Sequence, residues 1–199
     1  MIDENEELLI YNIILLGNTE AGKTSFIFKY INDTDNENIY KIGYNFKIKM
    51  IKLSNGDNIK LKIWDTTSQE NLIPAIIRCY VKSANGLILL YNITSRDSFE
   101  YSKRWLKIIR ERANNNNIAL VGNHIDREDY RIISTKEGQD FANDNNLLFF
   151  ETSAIQGINV NECFDALVNE IYRNDPKTIN KREIYELKNK RRRKTGCLK

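Results

Sequence analysis

The sequence has few of the residues that build disulfide frameworks and metal centres. Its three cysteines, Cys79, Cys163 and Cys197, are odd in number and widely spaced, which argues against a disulfide framework or a zinc site. The only histidine is His124, so a centre with several histidine ligands is excluded. Metal chemistry built on thiolates or imidazoles is therefore not expected.

Long apolar runs are also missing. No run approaches the roughly 18 to 20 apolar residues of a membrane-spanning helix, and the first seven residues, MIDENEE, are too acidic to open a secretory signal. These features predict a protein that is made and kept on the cytosolic side. An apolar content of 41% in 199 residues predicts one domain with one substantial core.

Charge is unevenly distributed along the chain. Residues 176–199 hold ten Lys or Arg residues and two Glu residues, a net charge of +8, so residues 1–175 carry a net charge of −5. We therefore predict a folded domain over residues 1–175 and a basic, flexible tail over residues 176–199. Such a tail is either a solvated terminus or a segment attracted to anionic lipid or nucleic acid. Attraction of the tail to nucleic acid is supported by its charge alone, so we do not expect a nucleic acid partner.

Apolar and helical segments alternate along the chain. A nearly continuous apolar run at Leu8–Leu16 predicts a strand buried on both faces of a sheet, and alternating patterns on either side of SNGD predict a hairpin at one sheet edge. The predicted strands span residues 8–16, 46–53, 58–64, 87–91, 118–121 and 147–150, and helical spacing is clearest at residues 98–113 and 160–172. This order predicts an α/β domain whose six-stranded, mostly parallel sheet has one antiparallel edge strand and helices on both faces. In such folds ligands bind at the carboxyl ends of the strands.

The loop after the first strand has the spacing of a phosphate-binding loop. Residues 17–24 read GNTEAGKT and match GxxxxGK[ST] between a predicted strand and a predicted helix, which favours a P-loop over an ordinary glycine-containing turn. Backbone amides of such a loop converge on phosphate oxygens, Lys23 reaches the β- and γ-phosphates, and the Thr24 hydroxyl binds Mg²⁺. Glu20 would repel the phosphates unless its side chain points outward, which we expect. The sequence thus predicts a P-loop NTPase.

Two later segments indicate which base is bound. After the fifth strand the chain reads GNHID, which places Asn123 and Asp126 three residues apart, and after the sixth it reads ETSAI, with Ser153 and Ala154. An aspartate that accepts hydrogen bonds from N1 and the 2-amino group selects guanine, because adenine lacks both donors. Standing alone, Asn123 and Asp126 would indicate a loop Asx turn. The phosphate loop in the same chain favours the guanine interpretation.

Together the motifs resemble those of small GTPases of the Ras superfamily, and most of all those of the Rab branch. The matching segments are GNTEAGKT, IGYNFKIKMI, WDTTSQE, YNITSRDSF, VGNHID and ETSA, and the resemblance covers residues 8–173. It implies GTP/GDP and Mg²⁺ as ligands, slow hydrolysis of GTP, and a role as a membrane-trafficking switch in vesicle-mediated transport. The implied nucleotide-binding residues are Gly17, Asn18, Thr19, Glu20, Ala21, Gly22, Lys23, Thr24, Ser25, Asp65, Asn123, His124, Asp126, Ser153, Ala154 and Ile155.

The resemblance also implies individual roles. Thr24 and Asp65 would hold Mg²⁺, Asp65 through a water, and Gln69 would be the catalytic residue that orients the attacking water. Asn123 would support the base and its neighbouring loops, and the Ala154 amide would meet the guanine oxygen.

Four positions depart from the family pattern. His124 and Ile155 stand where the family has lysines, which weakens nucleotide binding without changing the choice of base. Lys41 stands where the family has a threonine whose hydroxyl binds Mg²⁺. A lysine ammonium about 4 Å from Mg²⁺ would be repelled by the ion by about 8 kcal/mol at an effective dielectric of about 20. Ser68 stands where the family has a hinge glycine. If that position needs a positive φ in the triphosphate state, a serine there destabilises that state by about 1 to 2 kcal/mol. Lys41 and Ser68 leave an alternative open, a non-cycling pseudo-GTPase that binds GDP or GTP as a scaffold or interaction module.

The tail suggests membrane attachment. Cys197 lies in KTGCLK after the basic cluster at residues 190–194, and Rab-like proteins are prenylated on cysteines near this end. Only two residues follow Cys197, so the CaaX box is missing, and both prenylation of Cys197 and an unlipidated basic tail stay open. We expect a monomer that is peripheral on the cytosolic face of endomembranes, with effectors, exchange factors and activating factors as partners.

Overall fold

A seven-stranded sheet forms the centre of the fold. The structure, a computed structural model, describes residues 8–32, 39–40, 46–66, 80–112 and 117–179. The strands are β1 (Leu9–Leu16), β2 (Ile39–Tyr40), β3 (Phe46–Lys52), β4 (Asn58–Asp65), β5 (Gly86–Asn92), β6 (Ile118–Asn123) and β7 (Leu148–Thr152). Their order across the sheet is β2-β3-β4-β1-β5-β6-β7. Strand β3 is antiparallel to both β2 and β4, and the remaining pairs are parallel.

Helices cover both faces of this sheet. Four α-helices have both ends within the described residues: α1 (Lys23–Asn32), α2 (Arg96–Arg112), α3 (Thr135–Asp144) and α4 (Val160–Asn174). Residues 176–179 are helical as well. On one face, α1 and α4 bury their apolar stripes against β1, and the rings of Tyr30 and Phe164 stack with centroids 3.8 Å apart. On the other face, Phe99 and Trp105 of α2 lie in a second buried cluster with β5 and β6. Each cluster removes a continuous apolar surface from water, which is the main stabilising term for such a layered fold.

The α/β architecture predicted from the sequence is confirmed. All six predicted strands and the three predicted helices, including the one after the phosphate loop, are present, and the hairpin turns through Gly56, whose φ is 96°. The structure adds β2, which is two residues long and pairs with β3, so β3 is flanked on both sides. It also adds α3, a largely polar helix whose start is capped by the Ser134 side chain, which accepts a hydrogen bond from the backbone N–H of Glu137.

The carboxyl ends of five strands meet at one edge of the sheet. Leu15 is level with Asp65 on β4, and Leu16 is level with Leu89 on β5. Further across the sheet, Asn92, Asn123 and Thr152 stand side by side at the ends of β5, β6 and β7. The segments singled out in the sequence therefore leave the sheet at one common edge. None of the helices in the described ranges is both long enough and apolar enough to cross a membrane.

Candidate guanine nucleotide site

The phosphate loop, residues 17–24, joins β1 to α1 through a short 3-10 turn at Thr19–Ala21. Gly22 follows this turn with φ 84° and ψ 27°, a left-handed conformation that costs glycine little. A Cβ at Gly22 would lie 2.6 Å from Nδ2 of Asn123 and 3.2 Å from Nε2 of His124. Only a glycine therefore lets the loop approach the GNHID segment this closely.

Lys23 is almost fully buried at the start of α1 and points back into the phosphate loop. Its Nζ donates to the carbonyl oxygens of Gly17 and Asn18, each at 2.7 Å. A buried ammonium needs such partners, because removing a cation from water without compensation is costly. The two carbonyls fix the charge at the centre of the loop, where phosphate oxygens would bind.

Asn123 connects the phosphate loop to the two later segments. Its side chain is fully buried, and its Nδ2 donates to the carbonyl oxygen of Ala21 at 2.9 Å. Its Oδ1 accepts from the backbone N–H of Ala154 at 3.1 Å and from Oγ1 of Thr152 at 3.2 Å. One amide group thus holds the phosphate loop and the ETSAI segment in a fixed relation, so loops that are far apart in sequence form one site.

Asp126 is the carboxylate predicted to select guanine. It lies in a 3-10 helix, Ile125–Tyr130, and its Oδ1 accepts a hydrogen bond from Oγ of Ser153 at 2.6 Å. The Ser153 oxygen in turn accepts from the backbone N–H of Gln156 at 3.1 Å. The orientation of the carboxylate is therefore fixed before any ligand binds.

His124 contacts the phosphate loop directly. Its backbone is left-handed, with φ 73°, and its Nε2 lies 3.3 Å from the carbonyl oxygen of Glu20. A carbonyl oxygen can only accept, so Nε2 carries the proton in this contact. Burial lowers the pKa of His124, and the nearby Arg127 lowers it further, so the ring is neutral at pH 7. This contact with the phosphate loop was not predicted from the sequence, which identified His124 only as a replacement for the family's lysine.

The two residues predicted to hold Mg²⁺ lie next to each other. Oγ1 of Thr24, at the start of α1, donates to Oδ2 of Asp65, at the end of β4, at 2.7 Å. The following residue, Thr66, is buried, and its Oγ1 donates to the carbonyl oxygen of Leu15 at 2.7 Å, which fixes the chain beside the phosphate loop.

This donor set suits a hard cation. A hydroxyl and one carboxylate are all-oxygen ligands, and Mg²⁺ typically takes one or two carboxylates together with waters and substrate phosphates. Within the described ranges, no group of three or more His, Cys, Asp or Glu side chains could form a metal cage of its own. The residues present therefore fit Mg²⁺ held jointly with a nucleotide.

The remaining predicted residues lie at the rim or outside the described residues. Thr19, Glu20 and Ser25 are exposed, and Ile155 is 66% exposed next to Ala154. That the Glu20 side chain avoids the phosphates stays a prediction. Four residues to which the sequence assigned a functional role or effect lie outside the described residues: Lys41, Ser68, Gln69 and Cys197.

Three polar residues that support the site were not predicted from the sequence. Thr66 and Thr152 each donate a hydroxyl to the loop framework, and Ser98 donates to Oδ1 of Asn18 at 2.7 Å. Thr66 stands in WDTTSQE and Ser98 in YNITSRDSF, so both lie in segments that had been recognised. Which hydroxyl points toward the loop depends on tertiary contacts, which local spacing does not reveal.

Comparison with known proteins agrees with this geometry. The family model described as "Ras family" matches residues 12–173. The chain is 38% identical to the Ras-related protein Rab-10 of Diplobatis ommata, over 84% of each chain. It is 39% identical to the GTP-binding protein ypt3 of Schizosaccharomyces pombe, over 87% of this chain and 81% of the relative. It is 38% identical to human Ras-related protein Rab-3A, over 85% of this chain and 76% of the relative. The chain therefore belongs to the Ras family, and within it is a Rab-like small GTPase.

Proposed function

We propose that the protein binds GDP and GTP together with Mg²⁺ at this edge of the sheet, hydrolyses GTP slowly, and acts as a switch in vesicle-mediated transport. The observation that carries the proposal is the set of hydrogen bonds around Asn123, which joins the phosphate loop to the ETSAI segment. A loop that bound phosphate alone would not need this connection. It supports a ligand that has both phosphates and a base.

Each end of the nucleotide has its own binding groups in this proposal. Lys23 and the backbone amides of the phosphate loop bind the β- and γ-phosphates, where the buried ammonium offsets their negative charge. The carboxylate of Asp126, held by Ser153, accepts the hydrogen bonds of the guanine N1 and 2-amino groups. Ala154 meets the guanine oxygen in this proposal, and its backbone N–H, which donates to Oδ1 of Asn123 at 3.1 Å, is then shared between the two acceptors.

Hydrolysis depends mainly on positioning and charge. Thr24 and Asp65 would hold Mg²⁺, which supplies positive charge that offsets the charge developing on the transferred phosphoryl group. Gln69 orients the attacking water. Unassisted turnover in such sites is slow, on the order of 10⁻⁴ to 10⁻² per second. The protein therefore acts as a timer, with activating and exchange factors setting the rate of each step.

A second candidate function is a nucleotide-bound scaffold that does not cycle. It is favoured by two residues of the sequence, Lys41 at the position of a Mg²⁺-binding threonine and Ser68 at the position of a hinge glycine. Both changes oppose the triphosphate state and neither removes the groups that bind GDP.

One experiment tests the proposal and separates the two candidates. The affinities of the full-length protein for GDP, GTP and ADP are measured first, and single-turnover release of phosphate from GTP is then followed with and without Mg²⁺. We expect GDP and GTP to bind far more tightly than ADP, and phosphate to be released only with Mg²⁺. Tight GTP binding without any phosphate release would favour the scaffold, and equal affinity for ADP and GDP would refute guanine recognition.

The C-terminal segment supports a place at the membrane. We propose that residues 1–175 act as the nucleotide-binding domain and that residues 176–199, with a net charge of +8, act as a basic tail attracted to anionic lipid on the cytosolic face of endomembranes. Prenylation of Cys197 would add the second signal that stable anchoring needs. Mass spectrometry of the protein from its native cell tests for the lipid. If Cys197 is unmodified, the prenylation proposal is rejected and attraction of the basic tail to anionic lipid stays as the proposed attachment.

A further inference from the structure

The hydroxyl of Ser98 lies between the end of β5 and the phosphate loop. Ser98 is fully buried in the first turn of α2. Its Oγ accepts a hydrogen bond from the backbone N–H of Asn92 at 2.9 Å and donates to Oδ1 of Asn18 at 2.7 Å. The N–H of Asn92 can only donate, so the Ser98 proton is available for Asn18. One buried hydroxyl thus bridges the sheet and the loop.

Asn18 carries this contact to the centre of the phosphate loop. Its carbonyl oxygen accepts from Nζ of Lys23 at 2.7 Å and from the backbone N–H of Ala21 at 3.2 Å. The residue held by Ser98 is therefore one of the two that orient the buried ammonium. A shift of Asn18 would move the charge that faces the phosphates.

Ser98 itself has little freedom to move. Its backbone N–H donates to Oγ of Ser95 at 3.3 Å, which caps the start of α2. The next residue, Phe99, is fully buried and its ring lies 4.8 Å from that of Tyr91 on β5. The helix start is therefore fixed to the sheet, and Ser98 offers the loop a rigid attachment point.

We propose that Ser98 is a positioning residue that orders the phosphate loop before nucleotide binds, acting through Asn18 and Lys23. The inference rests on the proposed binding of nucleotide phosphates by this loop. Binding costs less when the binding groups are already ordered, so a loop released from Ser98 must be ordered when the nucleotide arrives. Loss of the hydroxyl should therefore weaken nucleotide binding even though Ser98 does not touch the ligand.

The test compares two serines of the same helix in the full-length protein. Ser98→Ala removes the bridge, whereas Ser102→Ala removes an equally buried hydroxyl that donates at 2.7 Å to the carbonyl oxygen of Phe99 in its own helix. Dissociation of GDP labelled with an N-methylanthraniloyl group is followed after addition of excess GDP. We expect Ser98→Ala to release the labelled GDP about 3- to 10-fold faster than wild type, the effect of losing the hydrogen bond to Asn18, and Ser102→Ala to release it at the wild-type rate.

A second variant tests the same contact from the loop. Asn18→Ala should also speed release, and the double variant Ser98→Ala/Asn18→Ala should be no faster than Asn18→Ala alone, because the two residues act through one contact. This pair keeps the test valid if Ser98→Ala does not fold. Thermal unfolding of each variant separates a loss of stability, which both serine variants can show, from a change in release rate.

The possible outcomes distinguish this inference from the proposed function. If the wild-type protein retains labelled GDP and both serine variants release it at one rate, the positioning role of Ser98 is refuted while nucleotide binding stands. Additive effects of Ser98→Ala and Asn18→Ala would also refute it. If the wild-type protein does not retain labelled GDP at all, the proposed function fails and the inference fails with it.

Discussion

Replacing Asn123 by alanine should remove the hydrogen bonds that hold the phosphate loop and the ETSAI segment together. The side chain is fully buried and makes three hydrogen bonds, with Ala21, Thr152 and Ala154. At about 1 kcal/mol net for each, their loss amounts to about 3 kcal/mol. Because 1.4 kcal/mol corresponds to about a tenfold change, we expect the affinity for GDP to fall about 100-fold if most of this energy orders the site.

The measurement for Asn123→Ala is the equilibrium affinity for labelled GDP, with thermal unfolding as a second readout. Asn117→Ala is the matched control, because Asn117 lies just before the opposite end of the same strand, β6, and its Nδ2 donates to the carbonyl oxygen of Asn85 at 3.0 Å. Asn117→Ala should lower stability and leave GDP affinity unchanged. Thr152→Val, which removes one of the three bonds, should weaken GDP binding by about fivefold.

Two results would refute this reasoning. If Asn123→Ala binds GDP as tightly as wild type, the three hydrogen bonds do not order the site. If Asn123→Ala and Asn117→Ala lose the same affinity, the loss reflects general destabilisation of β6 and not the connection between the loops.

Three further predictions concern pH, the cation and the switch. Burial lowers the pKa of His124 below its ordinary value of 6.5. The stability that the neutral ring contributes is therefore present above about pH 6.5 and is lost as the pH falls. Between about pH 7.5 and about pH 5.5, the unfolding temperature should fall further in wild type than in His124→Gln. Chelation of Mg²⁺ should speed release of labelled GDP from wild type and have little effect on Asp65→Ala or Thr24→Ala, and an unchanged response would remove both residues from the cation site. Ser68→Gly combined with Lys41→Thr should raise the affinity for GTP relative to GDP about tenfold or more, and an unchanged ratio would show that neither residue opposes the triphosphate state.

Much of the fold and of the site could be predicted because the signals are local. A buried strand, the turn residues and a GxxxxGK[ST] spacing all lie within one short segment, and parallel strands bring their carboxyl ends to one edge. The positions of Lys23, Asn123 and Asp126 at that edge follow from this geometry. The missed helix α3 also had a local signal, Ser134 followed three residues later by Glu137, but its weak apolar face hid it.

The contacts between segments could not be predicted in the same way. Ser98 reaches Asn18 across 80 positions, and His124 reaches the carbonyl of Glu20 across 104. Such pairs depend on the twist of the sheet and on how closely glycines allow the backbones to approach. The strand β2 was missed for another reason, because two residues carry no periodic pattern.

The most direct test of guanine recognition exchanges the acceptor for a donor. Xanthine carries an oxygen where guanine carries its 2-amino group, so an asparagine at position 126 would donate to xanthine where Asp126 accepts from guanine. Ser153 can still donate to the remaining side-chain oxygen, so the orientation is kept. Affinities for GDP and xanthosine diphosphate are measured for both proteins. We predict that wild type prefers GDP and that Asp126→Asn prefers xanthosine diphosphate, whereas a variant that keeps the wild-type preference for GDP would contradict the account.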